Sequence, residues 1–143
     1  MIVYHRTYYA EAILRDGFRD ATGSYLTGRP HTGVWLSDVP LDVNEGADGD
    51  TVLALDIPDF VLARCEWKEV KKTYREFLCP AAWVNRFGPP MIHEDDYQGQ
   101  TEAKLLSTIA ALERTGKVKR AERIREKIPF LKRHGLLAAP EAA

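Results

Sequence analysis

The stretch Tyr74-Arg75-Glu76-Phe77-Leu78-Cys79-Pro80 places a carboxylate at the start of an otherwise apolar strand. Alternation along a strand puts Glu76 on one face with Leu78, and Phe77 on the other face with Cys79. A strand that is apolar on both faces belongs inside a sheet. A charge that enters it is costly to bury unless it is paired or solvated in a cleft. We therefore expect Glu76 either to form a salt bridge at a frayed strand end, for example with Arg75, or to line a functional cleft.

Apolar runs predict further strands at residues 2–5, 33–37, 51–57 and 60–67. After the first run, apolar residues recur at helical spacing until Gly17, which predicts a short helix with a glycine after its last turn. His5 then lies at the carboxyl end of the first strand, where open sheets often place ligand contacts. Residues 19–32 are rich in Gly, Thr, Ser and Arg without a sustained period, which predicts a loop.

The last third of the chain changes to helical periodicity. Residues 101–114 carry Leu105 and Ile109 on one apolar stripe, and residues 118–127 begin a second stripe that continues to Leu131. Pro129 is expected to kink or end this second helix, because proline removes a backbone donor. The pattern predicts a C-terminal helical hairpin.

A chain of 143 residues with 45% hydrophobic residues can bury a core as one domain. We expect an α+β fold with a β-rich body over residues 1–90 and a helical extension of the same domain over residues 91–143. No apolar run is long enough to span a bilayer, and the N-terminus has no signal-peptide pattern. The expectation is a cytoplasmic protein with no membrane partner.

The cysteines and histidines show no metal-binding or redox motif. Cys65 and Cys79 have no C-x-x-C spacing and lie in apolar surroundings, which favours reduced, buried thiols over a disulfide framework. The four histidines lack the paired spacing of a zinc site, so we expect no structural metal.

Charge is unevenly distributed although the formal net charge is only −1. Residues 113–133 contain nine Lys and Arg against three Glu, which makes the tail locally basic. Such a tail suits contact with a nucleic acid or a protein partner, or with the chain's own acidic body. A solvated helix face explains the same residues more simply.

Three stretches, taken in order, resemble motifs of ADP-ribosyltransferases of the diphtheria-toxin and poly(ADP-ribose) polymerase type. Tyr4-His5-Arg6-Thr7 resembles their opening His-Gly-Ser/Thr strand. Thr32-Gly33-Val34-Trp35-Leu36-Ser37-Asp38 resembles the Gly-Ile-Tyr-Phe-Ala/Ser-Asp strand, whose aromatic ring stacks on nicotinamide. Glu76-Phe77-Leu78 is similar to the Glu-Tyr-Ile or Glu-Val-Leu start of the catalytic strand. The resemblance covers residues 1 to about 88.

The resemblance implies a compact, split β-sheet core with short helices. It also implies a toxin-like, NAD-dependent ADP-ribosyltransferase or an NAD glycohydrolase. Cleavage of the nicotinamide–ribose bond develops oxocarbenium character, which a nearby carboxylate stabilises. By resemblance, Glu76 and His5 are the catalytic residues, and Arg19 or Arg29 suits the pyrophosphate. The implied NAD-binding residues are His5, Arg6, Thr7, Trp35 and Ser37.

This chain departs from the family pattern at three positions. Arg6 stands where the family has Gly, although the contact there is mainly through the backbone. Trp35 replaces Tyr, so its ring can stack but lacks the hydroxyl. Tyr74 stands two residues before Glu76, where arginine-directed and related enzymes carry Glu or Gln. The acceptor of ADP-ribose, whether a protein, a nucleic acid or a small molecule, is therefore not identified.

Two alternatives stay open at this point. An RNA 2′-phosphotransferase-like, NAD-using enzyme on the same fold also suits the pair His5 and Arg6, although its usual extra RNA-binding domain is absent. A catalytically silent binding module could keep the fold and use the basic helical tail for a partner. Binding of NAD separates the module from both enzymes.

Overall fold

The computed structural model describes residues 1–24 and 28–140. The chain forms two compact units, Met1–Glu94 and Asp95–Ala143, called the first and second unit below. Residues 91–95, expected in the helical extension, form a strand of the sheet instead. The reason is that the segment pairs as an edge strand, although its short mixed sequence carries little periodic signal.

The first unit is built on an open sheet, and the fold is of the α+β class. The first strand pairs antiparallel with the third and the fourth, the third with the second and the sixth, and the fifth with the sixth. The strands follow the order β5-β6-β3-β1-β4-β7, and β2 pairs with β3. Their bounds are β1 Ile2–Thr7, β2 Ala21–Gly23, β3 His31–Ser37, β4 Thr51–Asp56, β5 Glu66–Trp67, β6 Glu76–Cys79 and β7 Met91–Asp95.

Short helices connect the strands of the first unit: α1 Ala10–Asp16, α2 Asp59–Leu62 and α3 Ala81–Val84, with 3-10 turns at Val43–Glu45 and Asn85–Phe87. The single strand predicted over residues 60–67 is wrong, because this segment forms α2 and then β5. Pro58 begins that helix, with its carbonyl oxygen accepting the Leu62 N–H at 3.2 Å. The loop predicted over residues 19–32 contains β2, whose cross-strand partners lie in β3.

Strand β6 lies inside the sheet between β5 and β3, as its apolar faces predicted. The Phe77 side chain has no exposed surface and is among the largest fully buried side chains. The buried apolar residues of the central strands are Val3, Val34, Leu36, Val52, Leu53, Leu55, Phe77 and Cys79. Burial of these side chains is the main favourable term for the first unit.

We expect Phe77→Ala to lower the free energy of unfolding of the first unit by about 3–5 kcal/mol, because it removes buried surface and leaves a cavity. The measurement is urea unfolding followed by tryptophan fluorescence, since all three tryptophans lie in this unit. Phe60→Ala is the matched control, because Phe60 is 74% exposed. Equal losses for the two variants would contradict the assigned core.

The second unit is a helical hairpin, as predicted, made of α4 Glu102–Arg114 and α5 Val118–Arg133. Thr101 caps α4 by accepting the Lys104 N–H on its hydroxyl at 3.1 Å, and Gly116 turns the chain at a φ of 77°. Helix α5 does not end at Pro129, because buried Phe130 and Leu131 anchor the following turn. Within residues 1–24 and 28–140, no helix is both long and apolar enough to span a bilayer.

The expectation of reduced thiols is wrong, because Cys65 and Cys79 form a disulfide. Backbone pairing brings them together: the Leu78 N–H donates to the Cys65 carbonyl at 2.8 Å, which extends the β5–β6 ladder by one residue. Their Cα atoms are then 5.3 Å apart, within the usual range for a disulfide.

Candidate active site

One row of side chains crosses three neighbouring strands and borders a cavity. The register sets Glu76 of β6 opposite Ser37 of β3, and Ser37 opposite Tyr4 of β1. Directly opposite residues of antiparallel strands lie on the same face. All three residues line a cavity of about 230 Å³, called the first cavity. Its other lining residues are His5, Arg6, Trp35, Leu36, Leu41, Glu45, Gly46, Ala47 and Asp48.

Strands β1 and β3 separate next to this row. Strand β1 pairs with β3 at one position, Tyr4 opposite Ser37, whereas it pairs with β4 at six positions. At the next residue of β1, the His5 side chain contacts β3 in place of a backbone hydrogen bond: its Nδ1 lies 2.7 Å from the Trp35 carbonyl oxygen. His5 and Trp35 are thereby held together at the split in the sheet.

The hydrogen bond to a carbonyl oxygen fixes the proton of His5. A carbonyl only accepts, so Nδ1 must carry the hydrogen. Burial lowers the pKa of His5, and the bond to the Trp35 carbonyl opposes this effect without cancelling it. The imidazole is therefore neutral near pH 7, which leaves Nε2 as a hydrogen-bond acceptor. The ring also packs edge-on against Phe18, with centroids 5.3 Å apart.

The lowered pKa of His5 predicts a pH dependence of stability. Because the folded state binds the proton less readily than the unfolded state, this contribution is fully present above the unfolded pKa, near 6.5. It declines as the pH falls toward the lower pKa of the folded state. Urea unfolding between about pH 7.5 and pH 5 should show wild type losing more stability than His5→Gln, which has no ionisable ring. Parallel pH curves for the two proteins would contradict the prediction.

Glu76 is buried and paired, but with a different partner from the one suggested by sequence. Lys72 Nζ contacts Glu76 Oε1, and the same ammonium lies 3.2 Å from Glu69 Oε2. Arg75 instead pairs with Glu66 on β5, at 2.8 Å. Glu76 therefore forms a salt bridge at a strand end, which is the structural explanation given above. It also lines a cavity, which is where the functional explanation places it.

The packed rings of Trp35, Trp67 and His31, called the aromatic wall, border the first cavity and a second cavity through Trp35. The rings of Trp35 and Trp67 meet edge to face with centroids 5.4 Å apart, and His31 packs edge-on against Trp67 at 4.7 Å. Trp67 Nε1–H donates to Glu69 Oε1 at 2.8 Å, and this bond is the leading cause of the lowered pKa of Glu69. The wall and the carboxylates around Lys72 are thus parts of one connected arrangement.

Arg6 holds the loop that forms the far wall of the first cavity. Its guanidinium donates to the carbonyls of Leu41 at 2.6 Å and Gly49 at 3.2 Å, and it lies 3.5 Å from Glu94. Gly49 approaches β1 so closely that a Cβ there would lie 2.4 Å from the backbone nitrogen of Thr7. The Arg6 side chain is therefore engaged by the protein at the place where a family member would have Gly.

Thr7 and Ser37 are both buried, but they border different cavities. Ser37 lines the first cavity, and its hydroxyl donates to the Val39 carbonyl at 2.6 Å. Thr7 lines a second cavity of about 440 Å³, and its hydroxyl accepts the Tyr9 N–H at 2.9 Å. The two cavities share His5 and Trp35. Other residues that line the second cavity include Ile13, Arg15, Phe18, Arg19, Asp20 and Val34.

Of the residues expected at the site, His5, Arg6, Trp35, Ser37 and Glu76 line the first cavity, and His5, Thr7 and Trp35 line the second. The sequence analysis missed Lys72, Glu69 and Trp67. A Lys placed four residues before a partly buried Glu was the available signal for Lys72. Among the described residues, no group of three or more His, Cys, Asp and Glu side chains is arranged to hold a metal ion.

Basic residues of the second unit are partly neutralised within that unit. Asp95 is fully buried as a side chain and pairs with Lys127 at 2.7 Å. Contact with a nucleic acid or a protein through this tail stays a prediction. Fewer unpaired positive charges are available for such contact than the sequence suggested. The ion pairs are Lys127 with Asp95, Arg125 with Glu113, and Lys132 with Glu102.

No protein-family model matches this chain, and no curated protein or solved structure matches it either. The resemblance to ADP-ribosyltransferases therefore depends on the quoted motifs alone.

Proposed function

We propose that the first unit is an NAD-dependent ADP-ribosyltransferase, with hydrolysis of NAD as the reaction when water is the acceptor. The observation that supports this proposal is the meeting of His5, Trp35 and Glu76 around one cavity, although up to 71 residues separate them in sequence. The order histidine, aromatic residue, glutamate is that of the family motif, with Trp35 in place of the family's Tyr.

Glu76 supplies the charge that the reaction needs. As the bond between nicotinamide and ribose breaks, positive charge develops on the ribose, and a fixed carboxylate stabilises it more strongly in a water-poor site than in bulk solvent. Glu76 is buried at the edge of the first cavity, which meets this requirement. The electron pair of the broken bond leaves with nicotinamide, and the acceptor oxygen or nitrogen then bonds to the ribose carbon and loses its proton.

His5 and Trp35 bind and orient the nicotinamide riboside in this proposal. The neutral His5 ring offers Nε2 to a ribose hydroxyl, because its Nδ1–H is engaged by the Trp35 carbonyl. Trp35 provides an aromatic face or edge for the nicotinamide ring. Ser37 lines the same wall, whereas the Arg6 side chain acts indirectly by holding the loop that closes the cavity.

The charges of the two cavities indicate which half of NAD each would take. The first cavity has Glu45, Asp48 and Glu76 on its walls against one cation, Arg6, whose guanidinium is engaged by the Leu41 and Gly49 carbonyls. This negative surplus suits the cationic pyridinium and the developing oxocarbenium but repels a pyrophosphate. The second cavity is larger and its charges balance, because it is lined by Arg15 and Arg19 together with Asp16 and Asp20. We therefore assign the adenosine diphosphate half to the second cavity, with Arg19 rather than Arg29 near the phosphates.

We expect Glu76→Gln to lower the rate of nicotinamide release by about 10²- to 10³-fold, or roughly 3–4 kcal/mol in the barrier, because the amide keeps size but loses charge. The affinity for NAD should survive, since His5 and Trp35 are unchanged. The measurements are nicotinamide release by mass analysis and NAD affinity by calorimetry.

Glu66→Gln is the matched control, because Glu66 is a carboxylate of the same sheet that pairs with Arg75 and does not line the first cavity. It should keep the wild-type rate. A wild-type protein that binds no NAD would favour the silent binding module. Consumption of NAD only with 2′-phosphorylated RNA, yielding ADP-ribose 1″,2″-cyclic phosphate, would favour the phosphotransferase.

A further inference from the structure

A run of four contacts leads from the aromatic wall of the site to the Glu76 carboxylate. Trp35 meets Trp67 edge to face, and Trp67 Nε1–H donates to Glu69 Oε1. Glu69 Oε2 lies 3.2 Å from Lys72 Nζ, and the same ammonium contacts Glu76 Oε1. Every member after Trp35 belongs to β5, β6 or the segment between them, so one short stretch of chain supplies the whole arrangement.

The ion pairs in this arrangement are removed from most solvent. The exposed fractions of the Lys72, Glu76 and Glu69 side chains are 13%, 11% and 24%. Removal of one partner from a buried pair leaves an uncompensated charge, whereas an exposed pair can be lost at little cost. Lys72 is also oriented by the Tyr74 ring, whose centroid lies 5.3 Å from its ammonium. Glu69, Glu76 and Tyr74 therefore all help to define its position.

The two carboxylate oxygens of Glu76 have different contacts. Oε1 is held by Lys72, and no described residue forms a hydrogen bond to Oε2. Every buried side-chain oxygen and nitrogen of the described residues has a hydrogen-bond partner. Because Oε2 has none, this atom is not buried, and solvent reaches it. One oxygen thus fixes the orientation of the carboxylate, and the other stays available to a ligand in the first cavity.

We infer that Lys72 is a positioning residue for Glu76, and that Glu69 keeps the local charge negative; this inference rests on the proposed function. Lys72 alone would cancel the charge that the oxocarbenium needs. Glu69, Lys72 and Glu76 together carry a net charge of about −1 when all are ionised. The arrangement therefore orients the reacting carboxylate without removing the negative potential at the ribose.

The test compares Lys72→Met, Lys72→Arg and the control Lys68→Met in nicotinamide release from NAD. Lys72→Met should lower kcat by about tenfold to a hundredfold, because a reacting group that is misplaced by about 1 Å costs up to that factor. The KM for NAD should stay near the wild-type value, since the binding residues are untouched. Lys72→Arg should recover most of kcat, and Lys68→Met, an exposed residue of the same segment, should match wild type.

The outcomes separate this inference from the proposed function. A wild-type protein that releases no nicotinamide overturns both. Suppose that the wild type is active and that Glu76→Gln is inactive. An unchanged kcat in Lys72→Met then overturns only the role of Lys72, and so does a Lys72→Met variant in which KM rises while kcat stays unchanged. If Lys72→Met loses its folded circular dichroism spectrum, Glu69→Gln decides: a lower kcat at unchanged KM supports the inference, and a wild-type kcat overturns it.

Discussion

The burial of the Glu76 charge is the constraint on which the rest of the site depends. A carboxylate at the start of an internal strand is tolerated only because Lys72 compensates it. Lys72 in turn requires Glu69, and Glu69 is held by Trp67. The segment between β5 and β6 therefore has to fold back on the strand that it precedes, and this return also brings Cys65 beside Cys79.

The separation of β1 from β3 gives the sheet its functional geometry. A fully paired sheet would use the Trp35 carbonyl in the ladder and leave no cavity there. Here the His5 side chain forms a hydrogen bond to that carbonyl. Strands β1 and β3 therefore pair at Tyr4 and Ser37 and separate beyond these residues. His5 and Trp35 line both cavities. Backbone pairing, and not a separate loop, thus sets the distance between the residues proposed to bind NAD.

Periodicity predicted the elements with long or uniform patterns and missed those determined by pairing. The apolar runs at β1, β3, β4 and β6 and the helical hairpin were correct because each buries a regular stripe. Residues 60–67 were wrong because an apolar run does not distinguish a short helix from a strand. Strand β2, the disulfide and the Glu76 partner Lys72 depend on contacts made only after the sheet assembles. Apart from the spacing of Lys72 four residues before Glu76, local sequence carries no direct signal for such contacts.

Arg6 fixes the loop of the first cavity at its two ends, through the carbonyls of Leu41 and Gly49. Between these points, the 3-10 turn is closed by its own residues: Asp42 and Glu45 each accept a backbone N–H of the other end. The loop is thus a module with anchored ends and a self-contained middle. Insertions or deletions between residues 42 and 48 can reshape the wall of the first cavity while the sheet below stays unchanged. If the first unit has the proposed activity, its choice of acceptor can therefore evolve separately from the cleavage of NAD.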